Sequence, residues 1–135
     1  MENIEIHIRK PTVENYCRLR AACGWPVPAA AACETALRNS IFGVVAMLNG
    51  ETIGMGRVVG DASLWNYVQD VIVLPEYQRR GLGKRLMETI MAELARTATP
   101  GSDVALISAP GMTVFYELFG FFVCQPGKPA MRRKL

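Results

Sequence analysis

Val71-Ile72-Val73-Leu74-Pro75-Glu76-Tyr77-Gln78-Arg79-Arg80-Gly81-Leu82-Gly83-Lys84 changes its period midway. The first four residues form an apolar run that suits a buried strand. From there Leu82, Leu86, Ile90 and Leu94 recur at i, i+4, with Met87 and Met91 beside them. The spacing predicts a helix over 82–96 with one core-facing side. Between strand and helix lies a basic turn. Gly81 and Gly83 lack Cβ, so the turn can be tight and backbone N–H groups can approach a ligand closely. The first turn of the helix adds free N–H donors and the positive end of a dipole. Arg79, Arg80, Lys84 and Arg85 surround it with positive charge. The assembly suits an anion, and a pyrophosphate fits it.

Two familiar phosphate loops fail on residue type. A P-loop needs glycines five apart and Ser or Thr after its lysine; here Gly81 and Gly83 are two apart and Arg85 follows Lys84. A dinucleotide fingerprint needs a small residue at 86, where Leu86 stands. What remains, Gln78-Arg79-Arg80-Gly81-Leu82-Gly83, resembles the Q/R-x-x-G-x-G/A signature of the GCN5-related N-acetyltransferase (GNAT) family. Val71-Ile72-Val73-Leu74-Pro75-Glu76-Tyr77 is similar to that family's fourth strand and the turn after it. Phe115-Tyr116-Glu117-Leu118-Phe119-Gly120-Phe121, which begins 32 residues after Gly83, is similar to its F-Y-x-x-x-G-F segment. With the order of elements, the resemblance covers nearly the whole chain.

That order reads as follows. Ile4, Ile6 and Ile8 alternate with Glu5, His7 and Arg9, a strand with one buried face and His7 on its polar side. Pro11 ends it, and Thr12 with Asn15 suits a helix start. Tyr16, Leu19, Arg20 and Cys23 keep helical spacing until Gly24-Trp25-Pro26-Val27-Pro28, and a second helix covers 29–38. Strands at 41–48 and 52–59 flank Asn49-Gly50, a strong hairpin signal because both residues tolerate positive φ. A turn at 60–63 leads to a strand at 67–74 and the helix already described. A short buried strand at 104–107, a helix carrying Met112, Phe115, Tyr116 and Phe119, and strands at 121–124 and 130–134 complete the chain. The order β-α-α-β-β-β-α-β-α-β-β implies a mixed α/β fold in one domain, 1–135. The resemblance further implies that the fourth and fifth strands splay apart to admit a cofactor.

Composition sets bounds. The chain has 135 residues, half of them hydrophobic and a fifth charged, and a net charge of +3. This suits one globular domain with its own core. No apolar run reaches the length of a membrane span, so no membrane partner is expected. No basic stripe interleaved with aromatics points to nucleic acid. The basic cluster Arg132-Arg133-Lys134 reads as solvated or as an edge-strand device. Cys17, Cys23, Cys33 and Cys124 lack C-x-x-C spacing, and with one histidine they predict no metal site. Met1-Glu2-Asn3-Ile4-Glu5 lacks a basic start and apolar stretch, which leads to the expectation of a cytoplasmic protein.

The resemblance implies a site and a reaction. Acetyl-CoA would lay its pyrophosphate over the backbone of Arg80, Gly81, Leu82, Gly83 and Lys84, with Gln78 in the motif and Arg79, Arg80 and Lys84 adding charge. Its arm would pair with backbone groups of Val71, Ile72 and Val73, and an N–H near Ile72 or Val73 would face the thioester oxygen. Tyr116 would be the general acid that protonates the leaving thiolate. Asp70 would be the general base or would orient the amine, against the alternative of a turn-forming Asp at the start of a strand. Many members of the family carry an Asn before that tyrosine; Ser108 stands in that region and could contact the cofactor instead. Trp25, Arg57 and Tyr67 are expected to line the acceptor pocket, with Trp65 also a candidate. Arg57 interrupts an apolar alternation and calls for a partner, either a protein carboxylate such as Asp61 or an acidic group on the substrate. The expected activity is N-acetyl transfer to the primary amine of a small molecule by direct attack, since no cysteine occupies a nucleophile position. Two alternatives stand beside it: a non-catalytic acyl-CoA-binding module, and an acetyltransferase of protein N-termini or lysines. The resemblance also leaves room for a homodimer.

Overall fold

The computed structural model of the chain describes residues 3–135, so Met1 and Glu2, part of the start read above, lie outside it. Five strands form one sheet in chain order: β1 (Glu5–His7), β2 (Phe42–Leu48), β3 (Glu51–Gly60), β4 (Trp65–Val73) and β5 (Asp103–Ala105). The first four are antiparallel neighbours, and β5 joins β4 in parallel. The helices are α1 (Val13–Ala22), α2 (Ala30–Arg38), α3 (Leu82–Thr97) and α4 (Thr113–Glu117), with a 3-10 turn at Pro75–Tyr77. The mixed α/β fold is the one predicted.

Local chemistry explains the boundaries. Thr12 Oγ1 accepts the Asn15 N–H at 3.1 Å and starts α1. Asn49 and Gly50, at φ 50° and 79°, close the β2–β3 hairpin as a turn with two positive-φ residues. Asp61 Oδ1 accepts N–H bonds from Ser63, Leu64 and Trp65 at 2.8, 2.8 and 3.1 Å. Those bonds, the one from Trp65 foremost, hold its carboxyl below the ordinary value. Asp61 is therefore a turn-forming residue and does not partner Arg57.

Helix α3 covers one face of the sheet with Leu82, Leu86, Met87, Ile90 and Leu94 buried. It sits close: a Cβ on Gly54 would stand 3.2 Å from Leu86 Cδ1, and one on Gly56 only 2.9 Å from Ile90 Cδ1. Alternation then turns Arg57 to the opposite face, where its guanidinium lies 5.7 Å from the centre of the Tyr16 ring of α1. Tyr16 and Leu19 of α1 and Cys33 and Leu37 of α2 are buried there.

Two irregularities of the sheet bear on the site. Met55 pairs with Ile72 and Arg57 with Gln69, so Gly56 alone faces the pair Asp70 and Val71. This is a β-bulge on β4, and Asp70 takes a left-handed φ of 57° within it. Strands β4 and β5 also part after Tyr67 and Ala105, as the resemblance implied. The predicted strands at 121–124 and 130–134 do not form: no described residue from 121 onward is in a ladder. The neighbouring β5 is three residues long and offers few ladder groups, while Pro126 and Pro129 withhold N–H donors from the return. Phe122 and Val123 are left 80% and 69% exposed.

Candidate active site

The turn at 78–84 is built from backbone. Gln78 Nε2 donates to the Val73 carbonyl at 2.9 Å and ties the turn to the end of β4. Arg79 and Gly81 take left-handed φ values of 64° and 77°. Gly81 is the N-cap of α3, and no side chain caps the helix, so its first N–H groups face outward. Gly83 differs from Gly81. It lies in the first helical turn without positive φ, and a Cβ there would stand 3.7 Å from the Phe115 ring, inside the adjoining cavity. That cavity, about 560 Å³, is lined by Val71 and Val73 of β4, by Gln78, Arg79, Gly81, Leu82, Gly83 and Lys84, and by Phe115 and Tyr116.

Three residues expected to meet the cofactor have their side chains engaged elsewhere, although for Ile72 only the backbone was expected to take part. Arg80 turns back, donating to the Glu76 carbonyl at 3.3 Å with its guanidinium 5.4 Å from the Tyr77 ring centre. Ile72 sends its side chain into the core, leaving only its backbone for a ligand. Ser108 Oγ donates to the Ala109 carbonyl at 2.8 Å, and the residue lines a separate hollow beside Phe121 and Val123.

A second cavity, about 670 Å³, opens where β4 and β5 diverge. Trp25, Tyr67, Gln69 and Asp70 line it, with Ile107, Arg132 and Arg133 on the other side. Val71 and Tyr116 line both cavities. Tyr116 packs edge-on against Phe115 at 5.0 Å and Phe121 at 6.1 Å between ring centres. Burial raises its phenol above the ordinary tyrosine value. Burial also raises Tyr67, partly offset by a backbone hydrogen bond from Ile107 and the nearby Arg132 charge.

Beneath the second cavity sits an ionic cluster that sequence spacing did not reveal. Arg20 Nη1 lies 2.5 Å from Asp70 Oδ1, Arg57 Nε lies 2.8 Å from Asp70 Oδ2, and the Tyr16 hydroxyl donates to Oδ2 at 2.5 Å. The Asp70 side chain is 1% exposed and both arginine side chains 14%. Arg20 also donates to the Pro26 carbonyl at 2.8 Å and Arg57 to Ser40 Oγ at 3.3 Å. Burial works against the charge of Arg57, but the Asp70 hydrogen bond and its other neighbours hold it firmly protonated. Burial, then the bond to Asp70, pushes the Tyr16 phenol up to about 12. Two expectations are corrected here. Asp70 is not a free proton acceptor, because both its oxygens are engaged by cations and a phenol. Arg57 is not an open substrate contact, because its partner is Asp70.

Trp25 lines the acceptor side of the divergence, with the Arg20 guanidinium 5.5 Å from its ring centre. Trp65 does not: it is 57% exposed at the far end of β4 beside Asp103. His7 is half-buried, with Nε2 3.0 Å from Glu5 Oε2. Among the described residues no group of three or more His, Cys, Asp or Glu is arranged to hold a metal ion.

Comparisons with known proteins agree with this fold. The model of the acetyltransferase (GNAT) domain family matches residues 26–132. A protein of unknown function from meticillin-resistant Staphylococcus aureus, described as a probable acetyltransferase, superposes with a TM-score of 0.90 at 32% identity, over 98% of this chain and 100% of that one. A GNAT family acetyltransferase from Streptococcus pneumoniae TIGR4 superposes with a TM-score of 0.74 at 28% identity, over 99% and 100%. The chloroplastic serotonin N-acetyltransferase 2 of Oryza sativa subsp. japonica is 36% identical over 72 residues, 53% of this chain and 35% of that protein. The match thus spans about a third of that curated relative's length.

Proposed function

The chain belongs to the GNAT acetyltransferase family, and on that premise we propose that it moves an acetyl group from acetyl-CoA to the primary amine of a small molecule by direct attack. One observation carries the reading: two cavities, one over the uncapped start of α3 and one in the divergence of β4 and β5, meet at Val71 and Tyr116.

The first cavity fits the co-substrate. Its turn offers free N–H donors with Arg79 and Lys84 beside them, and a Cβ at Gly81 would meet no atom within 4 Å. Gly83 keeps the floor low. The edge of β4 beyond Tyr67 has no strand partner, which leaves backbone groups of Val71 and Val73 for an extended arm. Acetyl-CoA supplies an acetyl group activated as a thioester. The bulge at Asp70 and Val71 frees local N–H groups from the ladder, so one can face the thioester oxygen as charge develops. Tyr116, held protonated by burial, donates to the departing thiolate.

Asp70 acts in this scheme as an organiser. It fixes Arg20, Arg57 and Tyr16 beneath the acceptor, and the amine's proton leaves to solvent in the open second cavity. The test is calorimetric titration with acetyl-CoA, followed by release of free thiol across a panel of amines, with Gly83→Asp as control. Gly83 carries no backbone strain, so this variant should fold and lose binding by tenfold or more, about 1.4 kcal/mol. Unaltered binding by the folded variant would remove the turn from the site.

A further inference from the structure

The charges around the second cavity do not balance, and the imbalance has a direction. Asp70 is the one acid among the residues that line it. Its single negative charge is shared by Arg20 and Arg57, at 2.5 and 2.8 Å. The other polar partners of those guanidiniums, the Pro26 carbonyl and Ser40 Oγ, are neutral. The third group on Asp70, the Tyr16 phenol, stays protonated and adds no negative charge. The floor therefore carries one uncompensated positive charge. Across the cavity stand Arg132 and Arg133, both exposed. Arg132 is near enough to the Tyr67 phenol for its charge to act there. Glu117 lines a neighbouring hollow and not this one.

We infer that the acceptor is an amine carrying a second, anionic group, a carboxylate or a phosphate, which Arg132 and Arg133 hold at the rim while the amine lies over the Arg20–Asp70–Arg57 floor. This rests on the acetyl-transfer reading above and narrows its substrate. A purely cationic amine would enter a cavity whose walls repel it. An amine bearing an acid is drawn in by two guanidiniums, whose planar forks match carboxylate and phosphate oxygens. The positive floor then serves the chemistry, because nearby like charge disfavours the ammonium form. The amine reaches its nucleophilic form without a dedicated carboxylate base, which is consistent with Asp70 being fully engaged.

The experiment compares amines that differ in the acid alone: glucosamine with glucosamine 6-phosphate, and amino acids with their amides. Thiol release gives kcat/KM for each, at low and raised salt, in the native chain and in Arg132→Gln/Arg133→Gln. Acetyl-CoA titration checks that the variant is folded. The expected result is a preference of about tenfold or more for acid-bearing members, shrinking with salt and in the variant. The two pairs tell a phosphate site from a carboxylate site. Turnover without discrimination, or a preference that survives both salt and the variant, overturns this inference and leaves acetyl transfer standing. No turnover of any amine by a chain that binds acetyl-CoA overturns the small-amine reading and this one together.

Discussion

The two halves of the site are made of different material. The turn at 78–84 is backbone: left-handed residues at 79 and 81, an uncapped helix start, and a glycine at 83 that leaves room. The floor of the second cavity is side chain: Tyr16 and Arg20 from α1, Arg57 from β3 and Asp70 from β4. A backbone site is contiguous, so its parts follow one another in the chain and tolerate variation in most side chains. A side-chain site is assembled across 50 residues or more of separation, and each member depends on the rest. The first should fail locally and the second collectively.

The largest break in that contrast should come from Asp70→Asn. It leaves two guanidiniums facing each other in a largely buried cluster, with no anion between them. Removing one member of a buried ion pair costs about 3–5 kcal/mol. Urea unfolding should show a loss of that order. A loss below about 1 kcal/mol, the range of a surface pair, would mean that the floor is not a cooperative unit.

Tyr116→Phe tests the junction of the two halves. It keeps the ring packing against Phe115 and Phe121 and removes the hydroxyl. If the phenol protonates the thiolate, kcat should fall about a hundredfold while the acetyl-CoA titration changes little. A drop in acetyl-CoA affinity at unchanged kcat would make Tyr116 a wall of the first cavity and nothing more.

These expectations follow what could and could not be read from the chain. The turn, α3, the Asn49-Gly50 hairpin and the Thr12 cap were legible because each signal spans a few consecutive residues whose backbone needs are specific. Asp70 was read as an acid at the start of a strand. Its bulge and left-handed φ leave no local mark, and its partners at 16, 20 and 57 lie on other elements. Arg57 did show itself as a charge among apolar neighbours, and the need for a partner was correctly felt. Which carboxylate answered depended on the pairing register of β3 with β4. The residues 121–124 carry strand propensity, but a strand exists only with a ladder beside it, and β5 ends at Ala105. Gly83 needs no positive φ, and a Cβ there would make only ordinary contact with Phe115, so what its missing side chain leaves open is the approach to the backbone.

Gly81→Ala sharpens the backbone half. Holding a residue with a Cβ at φ 77° costs about 1–2 kcal/mol, and a Cβ there meets no other atom, so the cost is conformational alone. Unfolding by urea should show that loss, with acetyl-CoA binding retained in the folded fraction. Retained stability would mean that the turn does not need its left-handed residue.

A loss of similar size belongs to Tyr16→Phe, and its pH dependence separates the cluster from ordinary core packing. The substitution keeps the buried ring and removes one hydrogen bond to a carboxylate that two guanidiniums still hold, a loss of about 1–2 kcal/mol near neutral pH. Burial and then the bond to Asp70 raise the folded-state phenol from 10.0 to about 12. Below pH 10 the phenol is protonated in both folded and unfolded chains, so its contribution is complete and constant. Above it the unfolded chain's tyrosine releases its proton first, and ionisation favours unfolding. The contribution is therefore lost as pH climbs from 10 towards about 12. Tyr67 and Tyr116 are raised as well and tilt the native chain's stability in the same direction. The useful quantity is thus the difference between native and Tyr16→Phe chains, measured by urea unfolding at about pH 9 and about pH 11. That difference should narrow as the pH rises. A constant difference would mean that the Tyr16 hydroxyl titrates like an exposed phenol, and that the bond joining α1 to Asp70 contributes no more than a solvent contact.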